Sequence, residues 1–447
     1  MELRYNAGYF TISGTTIPLK MRTKFLLSIV VFTAATVAGL VLALFLMSIN
    51  PTTIIWGPKS GPVLHDDMLA LELVAEGLDL PTSMRFLDDG TILVLEKNNG
   101  QVRVVSDGKL LDEPAIDVEV ATAVEQGLLG IAIWNGENDT SVFLYMTENY
   151  EDKTRNVIYK YIYDKNEKIL ENMTLVLELP GEPGPFHNGG KLAIGPRDGY
   201  LYAVIGDVSS GGGILDNQIP GRPPNDKSVI LRVDRDNGTP VEDNPFYNYT
   251  GSMEKLHQYY AYGIRNSFGM EFDPMTGKLW MTENGDDVYD EINIVEPGFN
   301  SGWHKIMGPI VRTNMTIEND LIIFDGAKYG DPIFSWYAPV GVTDIEFLNS
   351  TKLGEKYDDN VFVGDINNGN LYFFEVNGNR TGVTFHDPRL LDLVADPVKE
   401  GEDSELSSLI LGNGFGRITD IESGPDGLLY IMTYEDGKIY RLKKGVS

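Results

Sequence analysis

Of the five histidines in this 447-residue chain, one has a setting suited to chemistry. His187 lies in Gly184-Pro185-Phe186-His187-Asn188-Gly189-Gly190, a loop whose glycines let backbone and ligand approach closely. In a regular antiparallel hairpin, residues equidistant from the turn centre face each other. A turn centred on Arg197 therefore sets Asp207 opposite His187. A carboxylate there can bond one imidazole nitrogen, fix the tautomer and leave the other nitrogen as a base. The same pair can equally serve only to close a loop. Around Met275 the same construction pairs Arg265 with Gly285, and the two hairpins are offset by 78 residues. His187 and Arg265 thus take equivalent places in two repeats, subject to a one-residue shift if either strand carries a bulge.

Arg265-Asn266 sets a cation beside an amide, which suits an anionic or carbonyl-bearing ligand; a surface salt bridge is the plainer reading. The run Glu283-Asn284-Gly285-Asp286-Asp287-Val288-Tyr289-Asp290-Glu291 offers the oxygen donors a hard cation such as Ca²⁺ prefers. It lacks EF-hand spacing, so a solvated acidic loop fits as well. His65, His257, His304 and His386 have no comparable setting. No dinucleotide fingerprint, Walker loop or zinc-type His pair occurs, which argues against a nicotinamide enzyme.

The elements that must position these residues are strands. Helical periodicity is almost absent; what recurs is a Gly-containing turn followed by a short apolar run. The copies are Ile92-Leu93-Val94-Leu95, Leu201-Tyr202-Ala203-Val204, Leu279-Trp280-Met281-Thr282 and Leu429-Tyr430-Ile431-Met432, with a degenerate one at Asn360 to Asp365. Such runs mean an all-β chain of hairpins. Their wide spacing suits a propeller with weaker copies between the clear ones better than a sandwich. Gly100 to Val104 and Gly437 to Arg441 end the first and last copies alike, so ring closure near the C-terminus is expected.

With 36 basic against 65 acidic residues and pI near 4.5, the chain lacks the basic face a nucleic acid requires. The absence of cysteine excludes disulfides, thiolate metal sites and a Cys nucleophile. Phe25 to Met47 carries no charge, long enough to cross ~30 Å of hydrocarbon. Lys20, Arg22 and Lys24 precede it, so the positive-inside rule leaves the C-terminal bulk outside the cytoplasm. The division expected is a short cytoplasmic N-terminus at 1–24, a transmembrane signal-anchor at 25–48, a linker at 49–70 and a propeller at 71–447. The competing reading is a cleaved signal peptide, and Met21 is a second candidate start. Seven Asn-x-Ser/Thr sequons, at Asn138, Asn172, Asn237, Asn248, Asn314, Asn349 and Asn379, fit a glycosylated exterior protein.

These segments resemble the pyrroloquinoline quinone (PQQ) dependent glucose/sorbosone dehydrogenases, which are six-bladed propellers. The likeness spans about residues 72 to 444. It is carried by Leu78 to Arg85 with Gly90, Gly127-Leu128-Leu129-Gly130, His187 with Ile205-Gly206-Asp207, and Arg265-Asn266. Thr282 to Gly285, Asp290 to Asn293, Pro297 to Trp303, Trp336, and Arg417 with Gly424 to Gly427 complete it. The resemblance implies a six-bladed β-propeller that oxidises the C1 hydroxyl of an aldose to a lactone and passes electrons to an external acceptor. It implies His187 as base and Asp207 as its orienting partner. It further implies Arg265, Asn266, Trp336 and Arg417 around PQQ, and main-chain oxygens of Gly285 and Asp286 on Ca²⁺.

The chain departs from the family pattern at three positions of that pocket. Asn367 stands where the family often has Lys, Thr419 where it often has a second Arg, and Glu125 where some members have Gln. An ion pair at ~4 Å is worth about 4 kcal/mol at an effective dielectric of 20, so weaker PQQ binding is expected. Two other functions keep the scaffold. One is a propeller binding sugar or a surface polymer without redox chemistry. The other is a Ca²⁺-dependent lactonase using Glu125, Asp207, Asn266 and Asp365.

Overall fold

The computed structural model describes residues 9–12, 15–18, 61–209, 213–398 and 403–445. The expected membrane-spanning segment, 25–48, lies outside the described residues. Among those described, no helix is long and apolar enough to cross a bilayer. Tyr9–Ile12 and Thr15–Pro18 form an antiparallel hairpin in one compact unit, and residues 61–447 form the other.

The larger unit is an all-β propeller. Among the described residues it contains six sheets of four to six strands, designated I to VI in order of their first strands. These are Pro81–Phe86, Leu128–Asn135, Leu192–Ile194, Gly269–Phe272, Val342–Leu348 and Ile418–Ser423. Each packs on the next, and that of sheet VI returns to that of sheet I, closing a cycle around an axis. The second strands, Ile92–Glu96, Leu201–Ile205, Leu279–Glu283 and Leu429–Thr433, are buried at every residue. A strand covered on both faces by neighbouring sheets has no solvent side to alternate toward. The repeat is therefore legible as unbroken apolar runs. Sheet II, with strands of up to 12 residues between Leu128 and Pro180, repeats the pattern at Gly136 and the buried run Val142 to Met146, a copy not singled out from sequence.

Closure joins the two ends of the unit. Leu69–Glu76 pairs with Lys438–Lys444 as the fourth strand of sheet VI, and Glu72 bonds both Arg441 and Lys443. Val63–Leu64 adds to the edge of sheet V along Ile410–Asn413. The linker expected over 49–70 therefore gives way to sheet structure from Val63.

The hairpin registers differ from expectation by one residue, and the turn centres by half a residue. Leu192 faces Ala203 and Gly269 faces Thr282, which moves both turn centres past Arg197 and Met275. The shift is the same in both hairpins, so their offset and the equivalence of His187 with Arg265 survive.

Candidate functional site

A cavity of about 240 Å³ lies on the axis. Every sheet contributes a residue from its first strand or the loop entering it: Ser83, Leu129, Gly189, Phe268, Thr343 and Thr419. The side chains of a propeller's innermost strands converge by geometry alone, which makes this the natural place for a ligand.

His187 stands beside this cavity. Its Nδ1 is 2.6 Å from Asp207 Oδ1, although the observed register aligns His187 with Val208, whose amide bonds the His187 carbonyl. Left-handed backbone at His187 (φ 60°) and Val208 (φ 51°) turns the side chains toward each other despite the offset. The carboxylate is held in turn: the Ser209 amide donates to Oδ1 at 2.9 Å and Trp303 Nε1 donates to Oδ2 at 3.0 Å. Glu125 Oε2 accepts from the His187 amide at 2.7 Å and from Asn266 Nδ2 at 3.0 Å. Asn266 Oδ1 accepts from the Gly189 amide. Glu125 and Asn266 thus brace the loop that carries His187, and Glu125 also lines the cavity.

Arg265 is drawn into the same constellation. Its guanidinium bonds Asn284 O at 3.2 Å and Asp286 Oδ1 at 3.0 Å, and lies 5.3 Å from the Trp303 ring. Its amide is held by Glu283. The buried carboxylates of the acidic run serve the fold. Asp290 accepts from Gly285, Val340, Gly341 and Val342 amides, and Glu291 accepts from Gly308 and Asn293. Burial pushes Glu283 up to about 7. Burial and then the charge of Glu283 push Glu291 up to about 8. For a hard cation this leaves main-chain oxygens at Gly285 and Asp286, the Asp286 carboxylate being paired with Arg265; these are donors of the type Ca²⁺ takes, with further oxygens needed to fill its shell.

Two expected cofactor contacts are not where the resemblance implied. Trp336 is wholly buried, packed on Phe334, Tyr372 and Phe374, because it belongs to the fourth strand of sheet IV and points into the intersheet core. Asn367 is exposed beyond the cavity wall, where Ile366 faces inward instead. Arg417 and Thr419 do line the cavity; Arg417 is half exposed and 3.4 Å from Glu435, and Thr419 Oγ1 donates to Pro81 O. The set Glu125, Asp207, Asn266 and Asp365 is not assembled as a chelate: Asp365 is taken up by Asn368, Gly369 and Tyr372.

Three further features were not singled out from sequence. Trp303 fixes Asp207. Lys97, on the cavity wall, is buried at 7% exposure and bonds the amide oxygen of Asn98 rather than a carboxylate. On the cavity wall, Lys191 bridges Asp344 at 2.7 Å and Asp420 at 2.6 Å, with Arg85 paired to Glu422 alongside. Asp344, Asp420 and Glu422 form the one close carboxylate cluster of metal-binding type among the described residues, and the lysine and arginine already pair with all three. Asp344 and Asp420 lie on innermost strands, where alternation marks inward-facing positions without saying which strands meet; Lys97 and Trp303 lie in loops, which carry no such signal. The cationic rim of Lys97 and Arg417 over an apolar wall fits a planar polycarboxylate.

The sequence model described as Glucose / Sorbosone dehydrogenase matches residues 78–441. The chain is 28% identical over 372 residues to the aldose sugar dehydrogenase YliI of Escherichia coli K12, covering 82% of this chain and 90% of the relative. It is 27% identical over 262 residues to quinoprotein glucose dehydrogenase B of Acinetobacter calcoaceticus, covering 53% and 52%. The PQQ-bound aldose sugar dehydrogenase of Streptomyces coelicolor superimposes with a TM-score of 0.62 at 24% identity, over 85% of this chain and 99% of that one.

Proposed function

Because the chain belongs to the glucose/sorbosone dehydrogenase family, we propose that its axial site oxidises the C1 hydroxyl of an aldose to the lactone, with PQQ and Ca²⁺ as cofactors and an external electron acceptor. The six sheets are read as six blades. The observation that carries the proposal is the 2.6 Å contact between His187 and Asp207 beside the cavity. PQQ, when bound, supplies a two-electron acceptor for the C1 hydride, made more electrophilic by Ca²⁺.

The protein's own groups handle the proton and the positions. Asp207 accepts the Nδ1 proton of His187, which leaves Nε2 with its lone pair as the base for the C1 hydroxyl proton. As Nε2 takes that proton, the adjacent carboxylate stabilises the imidazolium. Trp303 keeps Asp207 from turning away, and Glu125 with Asn266 fixes the loop that carries the base. Arg417 and Lys97 are suited to hold the carboxylates of PQQ, and Gly285 and Asp286 the cation. An extracytoplasmic, membrane-anchored setting belongs to the same reading, supported by the uncharged 25–48 segment and its basic flank.

The test is reduction of an artificial dye by the full-length protein with PQQ, Ca²⁺ and a panel of aldoses. His187→Ala is expected to lower turnover at least 100-fold, the scale of a lost general base. Absence of PQQ binding at micromolar concentration refutes the enzyme reading and leaves a sugar-binding propeller. Lactone hydrolysis without quinone points to the lactonase.

A further inference from the structure

Resting on that functional reading, we propose that Lys97 is a carboxylate-binding cation of the cofactor pocket, taking the part that the family pattern would give to position 367. Lys97 directly follows Ile92–Glu96, the second strand of sheet I, and lines the cavity together with Arg417 of the adjoining sheet VI. The residue is 7% exposed, and its ammonium bonds the neutral amide of Asn98 at 3.0 Å. A buried ammonium without a close carboxylate costs several kcal/mol. Burial depresses its pKa, opposed only by the more distant charge of Glu125. Other buried cations here are matched: Lys191 has two aspartates, and Arg232 has Asp198 and Asp243. Lys97 is the exception on the cavity wall, and an anion entering the cavity would complete it. The competing account is a stem packed against Gly127, whose Cβ position lies 2.6 Å from Lys97 Cγ, with the head reaching toward the surface.

Equilibrium dialysis of PQQ against the full-length protein, read by absorbance, separates these. Lys97→Met is expected to weaken PQQ binding at least tenfold and to flatten its salt dependence, while Lys97→Arg stays within threefold of wild type. A carboxylate-free ortho-quinone is expected to bind wild type and Lys97→Met alike. Thermal melts without PQQ should show Lys97→Met at least as stable as wild type. If wild type binds PQQ and Lys97→Met binds it within twofold, the assignment of Lys97 fails while the functional reading stands. If wild type binds none, both fall.

A separate observation concerns the sequons. In each sheet the first strand runs away from the His187 end, so connections between first and second strands, and between third and fourth, gather at the opposite end. Six of the seven sequon asparagines lie there: Asn138 and Asn349 follow first strands, Asn237, Asn248 and Asn379 follow third strands, and Asn172 is near the start of a fourth. All six are exposed. We infer that this end is N-glycosylated and that the mouth beside His187 stays bare for substrate and electron acceptor. In the modification Asn Nδ2 bonds the anomeric carbon of a lipid-phosphate-linked oligosaccharide, the carbon–oxygen bond to phosphate breaks, and Nδ2 loses one proton. Asparagine is also favoured in turns for its own hydrogen bonding, so peptide mass spectrometry of protein from its native membrane decides. Glycan mass on at least two of the six is the expected result; unmodified asparagine at all of them overturns the inference.

Discussion

Replacing Asp207 by Asn tests whether the His187 pair performs chemistry or merely closes a loop. The carboxylate takes hydrogen bonds at Oδ1 from His187 and Ser209 and at Oδ2 from Trp303. An amide has one acceptor oxygen, so it cannot match both sides. With its oxygen toward His187 and Ser209, its NH₂ meets the Trp303 N–H and a buried donor is orphaned, at about 1–3 kcal/mol. With its oxygen toward Trp303, the NH₂ faces Nδ1, and the ring proton moves to Nε2, the nitrogen needed as base. Either way the negative charge that steadies the imidazolium is gone, a further ~1–2 kcal/mol as a charge-assisted bond becomes neutral. The total of about 2–5 kcal/mol corresponds to a fall in kcat/KM of roughly 30- to 5,000-fold. PQQ affinity should be unchanged, because Asp207 does not line the cavity. Trp303→Phe removes the mismatched donor, so the double variant should lose less than the product of the two single losses. Dye-reduction kinetics on the four proteins, each saturated with PQQ and Ca²⁺, gives the cycle. Activity of Asp207→Asn within threefold of wild type would refute the catalytic reading of the pair.

Burial and then the charge of Glu271 push Glu346 up to about 8. A carboxyl whose folded pKa exceeds its unfolded value near ~4.3 stabilises below that value and loses the contribution as pH rises through the folded pKa. The Tm should therefore fall between about pH 5 and pH 9, and Glu346→Gln should flatten that slope; scanning calorimetry showing equal slopes would contradict this. Asp290→Ala orphans four backbone amides that tie the acidic loop to residues 340–342. It should cost about 3–5 kcal/mol, measurable by urea denaturation, and a loss under 1 kcal/mol would show that water replaces the carboxylate.

The architecture was legible because strands buried on both faces print unbroken apolar runs, and Ile92 to Leu95, Leu201 to Val204, Leu279 to Thr282 and Leu429 to Met432 all lie in such strands. Sheet II was not singled out, although Gly136 and the buried run Val142 to Met146 repeat the pattern, in strands that run on to 11 and 12 residues. The pairing of His187 with Asp207 was legible as well, being local to one hairpin. Its register was not: one residue separates the expected and observed alignments, and left-handed backbone at His187 and Val208 brings the side chains together. Trp336 was placed at the cofactor by family likeness, yet sheet packing turned it into the core. By itself the sequence determined what is periodic or local: the strands, the hairpins, the acidic balance and the candidate base. Only the tertiary structure decided what depends on which strands meet at the axis. Lys97 faces the cavity, Trp303 reaches Asp207 across 96 residues, and Lys191 finds Asp344 and Asp420. Contacts between distant residues are set by ring closure and sheet packing, which leave no fixed spacing in the chain.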